Sequence, residues 1–140
     1  KELQLFKNAQ LVMPGVVALQ ANKFTSQVNA QLEMTQLNEQ LKSNETALAS
    51  VAQIVICDDS SFVAQKLNNY LWVTYTRSNP SHDIYGVNDF ILNKHWGCNG
   101  PMVVDARTKP HHAPPVEKVP EVEKRIDKFF EKGGSLYGII

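Results

Sequence analysis

Cysteine is scarce in this chain: two residues in 140, Cys57 and Cys98, with no CxxC pair. A zinc knuckle and a disulfide framework are therefore not expected. Both cysteines read as free thiols of a reducing cytoplasm, with Cys57 as a small core hydrophobe. An excess of either charge is lacking too, since 14 Lys and Arg face 14 Asp and Glu. That balance leaves no electrostatic footprint for nucleic acid or an anionic membrane. No apolar run approaches the roughly 18 residues that would suggest a membrane span. The GxGxxG, Walker, GxSxG and HExxH patterns are absent, as are repeats and low-complexity tracts. The first residue is Lys1, and no signal-peptide pattern follows it, so a fragment or processed product is expected.

What remains is an ordinary globular composition, 43% hydrophobic and 20% charged, of about one domain's length. Met13-Pro14-Gly15-Val16 carries a Pro-Gly turn signal. Val28, Ala30, Leu32 and Met34 alternate with Asn29, Gln31 and Glu33, which predicts a half-buried strand. Leu37, Leu41, Leu48 and Val51 predict a helix over about 36–51, with Ser43 available to cap a second short helix. Ile54-Val55-Ile56-Cys57 is an uninterrupted apolar run, the pattern of a strand buried on both faces of a parallel sheet. Asp58-Asp59-Ser60-Ser61 then offers helix N-cap chemistry. Val63, Leu67, Tyr70, Leu71 and Thr74 share one face of a helix over about 62–76.

Residues 84–87 and 102–104 read as short strands, and 93–101 as a polar, glycine-containing loop. Pro110, Pro114, Pro115 and Pro120 predict an extended arm over 108–120. Pro120 suits the first turn of a last helix with the apolar stripe Val122, Ile126, Phe129 and Phe130, stopped by Gly133-Gly134. The predicted fold is α/β: a mixed, partly parallel sheet flanked by helices, with a proline-rich arm leading to a C-terminal helix. The division is residues 1–110 as the α/β unit and 111–140 as the arm and a docking helix.

Acidic residues after a buried parallel strand occupy the usual ligand edge of α/β sheets. Asp58 and Asp59, with Asp105 after 102–104, could imitate the acidic pair and phosphoacceptor of a receiver domain. Against this, about fifty residues precede Asp58 and a proline-rich tail replaces the later βα units. N-capping and the helix dipole explain Asp58 and Asp59 without a ligand. His111 and His112 are neighbours in an extended stretch and point apart, so no metal site is expected there. Residues 93–100 gather a cation, an imidazole, an indole and a thiol in one loop, a place where α/β scaffolds often carry function.

The run 54–59, the helix segment Leu71-Trp72-Val73-Thr74-Tyr75-Thr76-Arg77-Ser78-Asn79-Pro80 and Asp83 together resemble the C-terminal domain of the UbiD-type decarboxylases. Pro14-Gly15-Val16 matches that family's P-G-V turn, and Gly100-Pro101-Met102-Val103-Val104-Asp105-Ala106-Arg107-Thr108-Lys109 resembles its G-x-x-x-x-D-A-T-x-K segment. Departures are Ala52, where several members carry lysine, Arg107 in place of the threonine, and a polar stretch over 36–50. The resemblance implies a domain of a reversible aromatic-acid decarboxylase or carboxylase, in a hydroxyarylate or phenylphosphate branch. The parent enzyme would use prenylated FMN with a divalent metal and potassium, held in a separate flavin-binding domain and not by this chain. The implied partners are that domain, further copies in a dimer or hexamer, and an aromatic acid or phenol, in the cytoplasm. By position, Phe90, Asn93, Lys94, His95 and Trp96 would lie near substrate. Asp58, Asp59, Trp72, Arg77, Asp83 and Asp105 would hold architecture, with Arg77 and Asp83 as an ion pair. A non-catalytic assembly module is the competing expectation.

Overall fold

The computed structural model describes residues 5–114 and 119–139. A five-stranded mixed sheet is built from β1 (Phe6–Met13), β2 (Val16–Ala21), β3 (Gln53–Cys57), β4 (Ile84–Gly86) and, after a separate two-stranded sheet of β5 (Asp89–Leu92) and β6 (His95–Cys98), β7 (Met102–Asp105). Its order is β1-β2-β3-β7-β4. Strands β2, β3 and β7 run parallel, and β1 and β4 pair antiparallel at the edges. Every residue of β3 is buried, as expected of the central strand of a sheet covered on both sides.

Side chains alternate across β3, and the two faces make separate cores. Ile54 and Ile56 meet Leu19, Val103 and, from α1 (Gln27–Lys42), Met34, Leu37 and Leu41. Val55 and Cys57 meet Ala18, Ala106 and, from α3 (Ser60–Gln65) and α4 (Leu67–Thr76), Val63, Tyr70 and Val73. A short α2 (Glu45–Leu48) follows α1. The connection leaving β2 thus covers one face, and the connection leaving β3 covers the other.

Between β1 and β2 the chain turns at Pro14-Gly15, and Gly15 sits at φ +84°, a conformation that favours glycine. The last helix, α5 (Pro120–Phe130), begins with Pro120 in its first turn. It buries no residue, and Val122, Ile126 and Phe129 are exposed.

Five local expectations are corrected. Residues 28–34 are helix, not strand: Ala30, Met34, Leu37 and Leu41 form the buried stripe of α1, whereas Val28 and Leu32 face solvent. The helix expected over 36–51 is the second half of α1 plus α2, and Ser43 closes α1 without starting α2. The helix expected over 62–76 is two helices broken at Lys66, whose extended backbone (φ −150°) turns the chain. The loop expected over 93–101 contains strand β6 and closes a hairpin with β5. The expected arm starts with a turn, the His112 N–H donating to the Lys109 carbonyl at 2.9 Å. Pro115 and residues 116–118 lie outside the described residues.

Candidate functional site

The carboxyl ends of β2, β3 and β7 converge on a buried ionic network. Asp105, the last residue of β7, is fully buried. Arg107 turns back onto it, with Nε donating to Oδ1 at 2.9 Å and Nη2 to Oδ2 at 2.7 Å. The same guanidinium donates from Nη1 to Glu33 of α1 at 2.7 Å and to the Asn22 carbonyl at 3.1 Å. This bidentate fork suits the planar geometry of arginine. Burial alone lowers the Arg107 pKa, but hydrogen bonds and charge from Asp105 and Glu33 outweigh it and hold the value above normal.

Lys109 is equally enclosed. Its ammonium donates to the carbonyls of Asp105 at 2.8 Å and Arg77 at 3.0 Å, and lies 3.3 Å from Asp83 Oδ2. Three acceptors for three N–H donors make a buried lysine tolerable. Asp83 Oδ2 also accepts from the Asn79 N–H at 2.7 Å, which fixes the turn between α4 and β4. Asp58, one residue past β3, accepts at Oδ2 from the Arg77 Nη1, the Thr108 N–H and the Thr108 hydroxyl at 3.2, 2.9 and 2.7 Å. Asp59 caps α3 through the Phe62 N–H at 3.0 Å. Arg77 rests 4.9 Å over the Trp72 ring. The expected Arg77–Asp83 pair is therefore replaced by two others, Arg77–Asp58 and Lys109–Asp83, because Arg77 closes α4 on the Asp58 side of the network. Asp105 offers no accessible oxygen for phosphorylation, which removes the acceptor that a receiver domain needs.

Beside this network lies an open cleft of about 520 Å³, lined by Lys23 and Phe24 after β2, Asp58 after β3, Thr108 and Lys109 after β7, and Arg77. Lys23 and Phe24 belong to no motif that the sequence displays, and Thr108 falls at the unspecified position of the D-A-T-x-K segment. The available signal is their place, two or three residues beyond strands that run parallel.

The residues expected near substrate lie elsewhere, on the β5–β6 hairpin. All four residues of β5 are exposed, and Phe90 and Trp96 are about half-exposed. Asn93 and Lys94 form its two-residue turn at φ +51° and +68°, the sign required at both centres of a type I′ turn. The hairpin packs closely on β4: a Cβ at Gly86 would come within 2.4 Å of the Cys98 Cβ and 2.9 Å of the Trp96 ring. His112 Nδ1 accepts the Lys109 N–H at 3.1 Å, and burial followed by neighbouring positive charge lowers its pKa. Among the described residues no three His, Cys, Asp or Glu side chains gather as a metal site. No described helix is long and apolar enough to cross a membrane.

The fold is that of part of a UbiD-class enzyme. It superposes on HmfF from Pelotomaculum thermopropionicum, solved as an evolved dimeric form in complex with prFMN, with a TM-score of 0.50 and 13% identity. That likeness covers 87% of this chain and 25% of the HmfF chain. In sequence, the chain is 27% identical over 81 residues to a subunit of a 4-hydroxybenzoate decarboxylase from Chlamydia pneumoniae, covering 58% of this chain and 14% of the relative. It is 29% identical over 97 residues to an uncharacterized protein of Chlamydia muridarum (strain MoPn / Nigg), covering 69% and 17%. The chain thus spans about one sixth of the length of the curated relatives it matches. No protein-family model matches it.

Proposed function

We propose that this chain is the C-terminal-type domain of a UbiD-class aromatic-acid decarboxylase or carboxylase. The match to a 4-hydroxybenzoate decarboxylase carries this reading, supported by the UbiD-class fold over most of the chain. The reaction, with prenylated FMN, divalent metal and potassium, belongs to a flavin-binding domain outside these residues. The carboxylates here do not fit such a group: Asp58 is engaged by Arg77 and Thr108, Asp83 by Lys109, and Asp105 by Arg107. No chemical step is therefore assigned to them.

The domain's part is closure and substrate orientation. Closing over a reacting centre excludes water and strengthens the electrostatics inside. The β5–β6 hairpin is the element for that task. Phe90 and Trp96 offer flat apolar surface, and Asn93, Lys94 and His95 offer donors at its tip. The ionic network holds the sheet beneath it. Residues 111–140 form a second unit whose α5 stripe docks on another subunit, giving a dimer or hexamer. A phenol-acting branch fits a relative that decarboxylates 4-hydroxybenzoate.

The test uses the full-length parent protein, coexpressed with a flavin prenyltransferase and assayed for CO₂ exchange on hydroxybenzoates and phenols. Exchange should fall at least tenfold in Phe90→Ala and Trp96→Ala, with flavin retained. Deletion of the domain should abolish exchange. Unchanged exchange in both variants would overturn the closing role. No exchange by the intact protein on any of these substrates would leave assembly as the better account.

A further inference from the structure

We propose that the cleft at the carboxyl ends of β2 and β3 binds a small organic anion, a carboxylate or phosphate with an apolar end, separately from any decarboxylation chemistry. The connection after β2 crosses to the α1 face, while the connection after β3 crosses to the α3–α4 face. Two neighbouring parallel strands whose connections part to opposite faces leave a crevice between them, where open α/β sheets take their ligands. The cleft of about 520 Å³ lies there, between Lys23 and Phe24 on one side and Asp58 on the other.

The polar groups around the cleft differ in how fully they are engaged. Lys109 has all three donors engaged, and its charge is answered by Asp83. Arg107 is answered by Asp105 and Glu33 and does not line the cleft. Asp58 is held by three donors. Two donor sets stay open among the described residues. Lys23 is exposed and makes no ion pair, and Arg77 uses only Nη1, leaving Nη2 and Nε. Two cationic groups with spare donors flank one carboxylate, Asp58, whose Oδ2 is already engaged and whose charge is answered by Arg77, so the uncompensated charge of Lys23 favours a negatively charged guest. Phe24 and Pro110 supply an apolar wall suited to an organic body on that anion.

The test is an NMR titration of the 140-residue chain at constant ionic strength, with sodium benzoate, acetate and inorganic phosphate as the probes. Backbone shifts should concentrate at residues 22–24, 58, 77 and 108. Benzoate should bind at least fivefold more tightly than acetate if the apolar wall contributes. Phosphate binding more tightly than both would assign the site to phosphate compounds, and benzoate leading would assign it to carboxylates. Lys23→Gln should weaken binding about threefold to tenfold, and Lys23→Glu should abolish it. Lys23 is exposed, so both variants should keep the wild-type spectrum elsewhere. A probe at about 20 mM nearly saturates any site with a Kd of about 1 mM or tighter. Shifts absent at that concentration of all three probes, shifts spread over surface lysines at large, or binding indifferent to Lys23→Glu would each overturn the proposal. Loss of decarboxylase activity in the parent enzyme has no bearing on this readout.

Discussion

Replacing Arg107 with methionine should cost about 3–5 kcal/mol, the range for removing one partner of a buried ion pair. Arg107 is 1% exposed and Asp105 fully buried, so the carboxylate would keep its desolvation without its fork of donors. Glu33 is partly exposed and can turn to water, so its share of the loss is small. The Lys109 bond to residue 105 is made to the backbone carbonyl and would persist. At about 3–4 °C per kcal/mol for a domain near this size, the melting temperature should fall by roughly 10–20 °C. Asp105→Leu combined with Arg107→Met should recover most of the loss, because two apolar side chains replace a pair whose burial is itself unfavourable. Urea denaturation of both single variants and the double variant measures the coupling. Additive losses, or a loss below about 1 kcal/mol for Arg107→Met at unchanged slope, would refute the view that the network is a mutually dependent buried pair.

Lys94→Gly should stabilise the chain by about 0.5–1 kcal/mol, since glycine removes a left-handed strain of about 1–2 kcal/mol at some entropic cost; a thermal melt checks it. Asp59→Ala should cost about 1 kcal/mol through the lost cap on α3, read by urea denaturation. Burial, then the charge of Asp58, pushes the Cys57 thiol from 9.0 to about 12. The folded state therefore holds that proton more tightly than the unfolded chain does. The associated stability is full below pH 9 and is lost as pH rises toward 12, so the loss measured by denaturation over that window should be shallower in Cys57→Ala. Removing residues 119–140 should leave the melting temperature of the remainder within about 2 °C, because α5 buries nothing.

The central layer of the fold is legible in the sequence because burial on both faces leaves an unmistakable mark. The apolar run 54–57 becomes β3, and Pro120 and Gly133-Gly134 bracket α5. The start of α1 is not legible because Val28 and Leu32 are apolar yet exposed, which counterfeits a period of two over a helical stripe. The hairpin is hidden because β5 is exposed throughout and its turn is Asn-Lys, where Asn-Gly is the usual signal. The ionic network is half legible. Asp58, Asp83 and Asp105 stand out as acids beside strands, but arginine and lysine ordinarily sit in water, and nothing local shows that Arg107 and Lys109 are buried. Their spacing of two and four residues from Asp105 is the available clue.

The strand order has a consequence for how the protein is made. In β1-β2-β3-β7-β4, one edge of β3 stays unpaired until residue 105 has left the ribosome. The 48 residues from Cys57 to Asp105 take roughly 2–10 s at about 5–20 residues per second. For that interval the nascent chain presents a core strand, apolar from Ile54 to Cys57, with free backbone donors and acceptors along one edge, the form most prone to pair with another chain. Synthesis of this domain therefore passes through a window in which a chaperone has a defined target, and in which a ribosome slowed between the codons for Cys57 and Asp105 would raise the yield of aggregate.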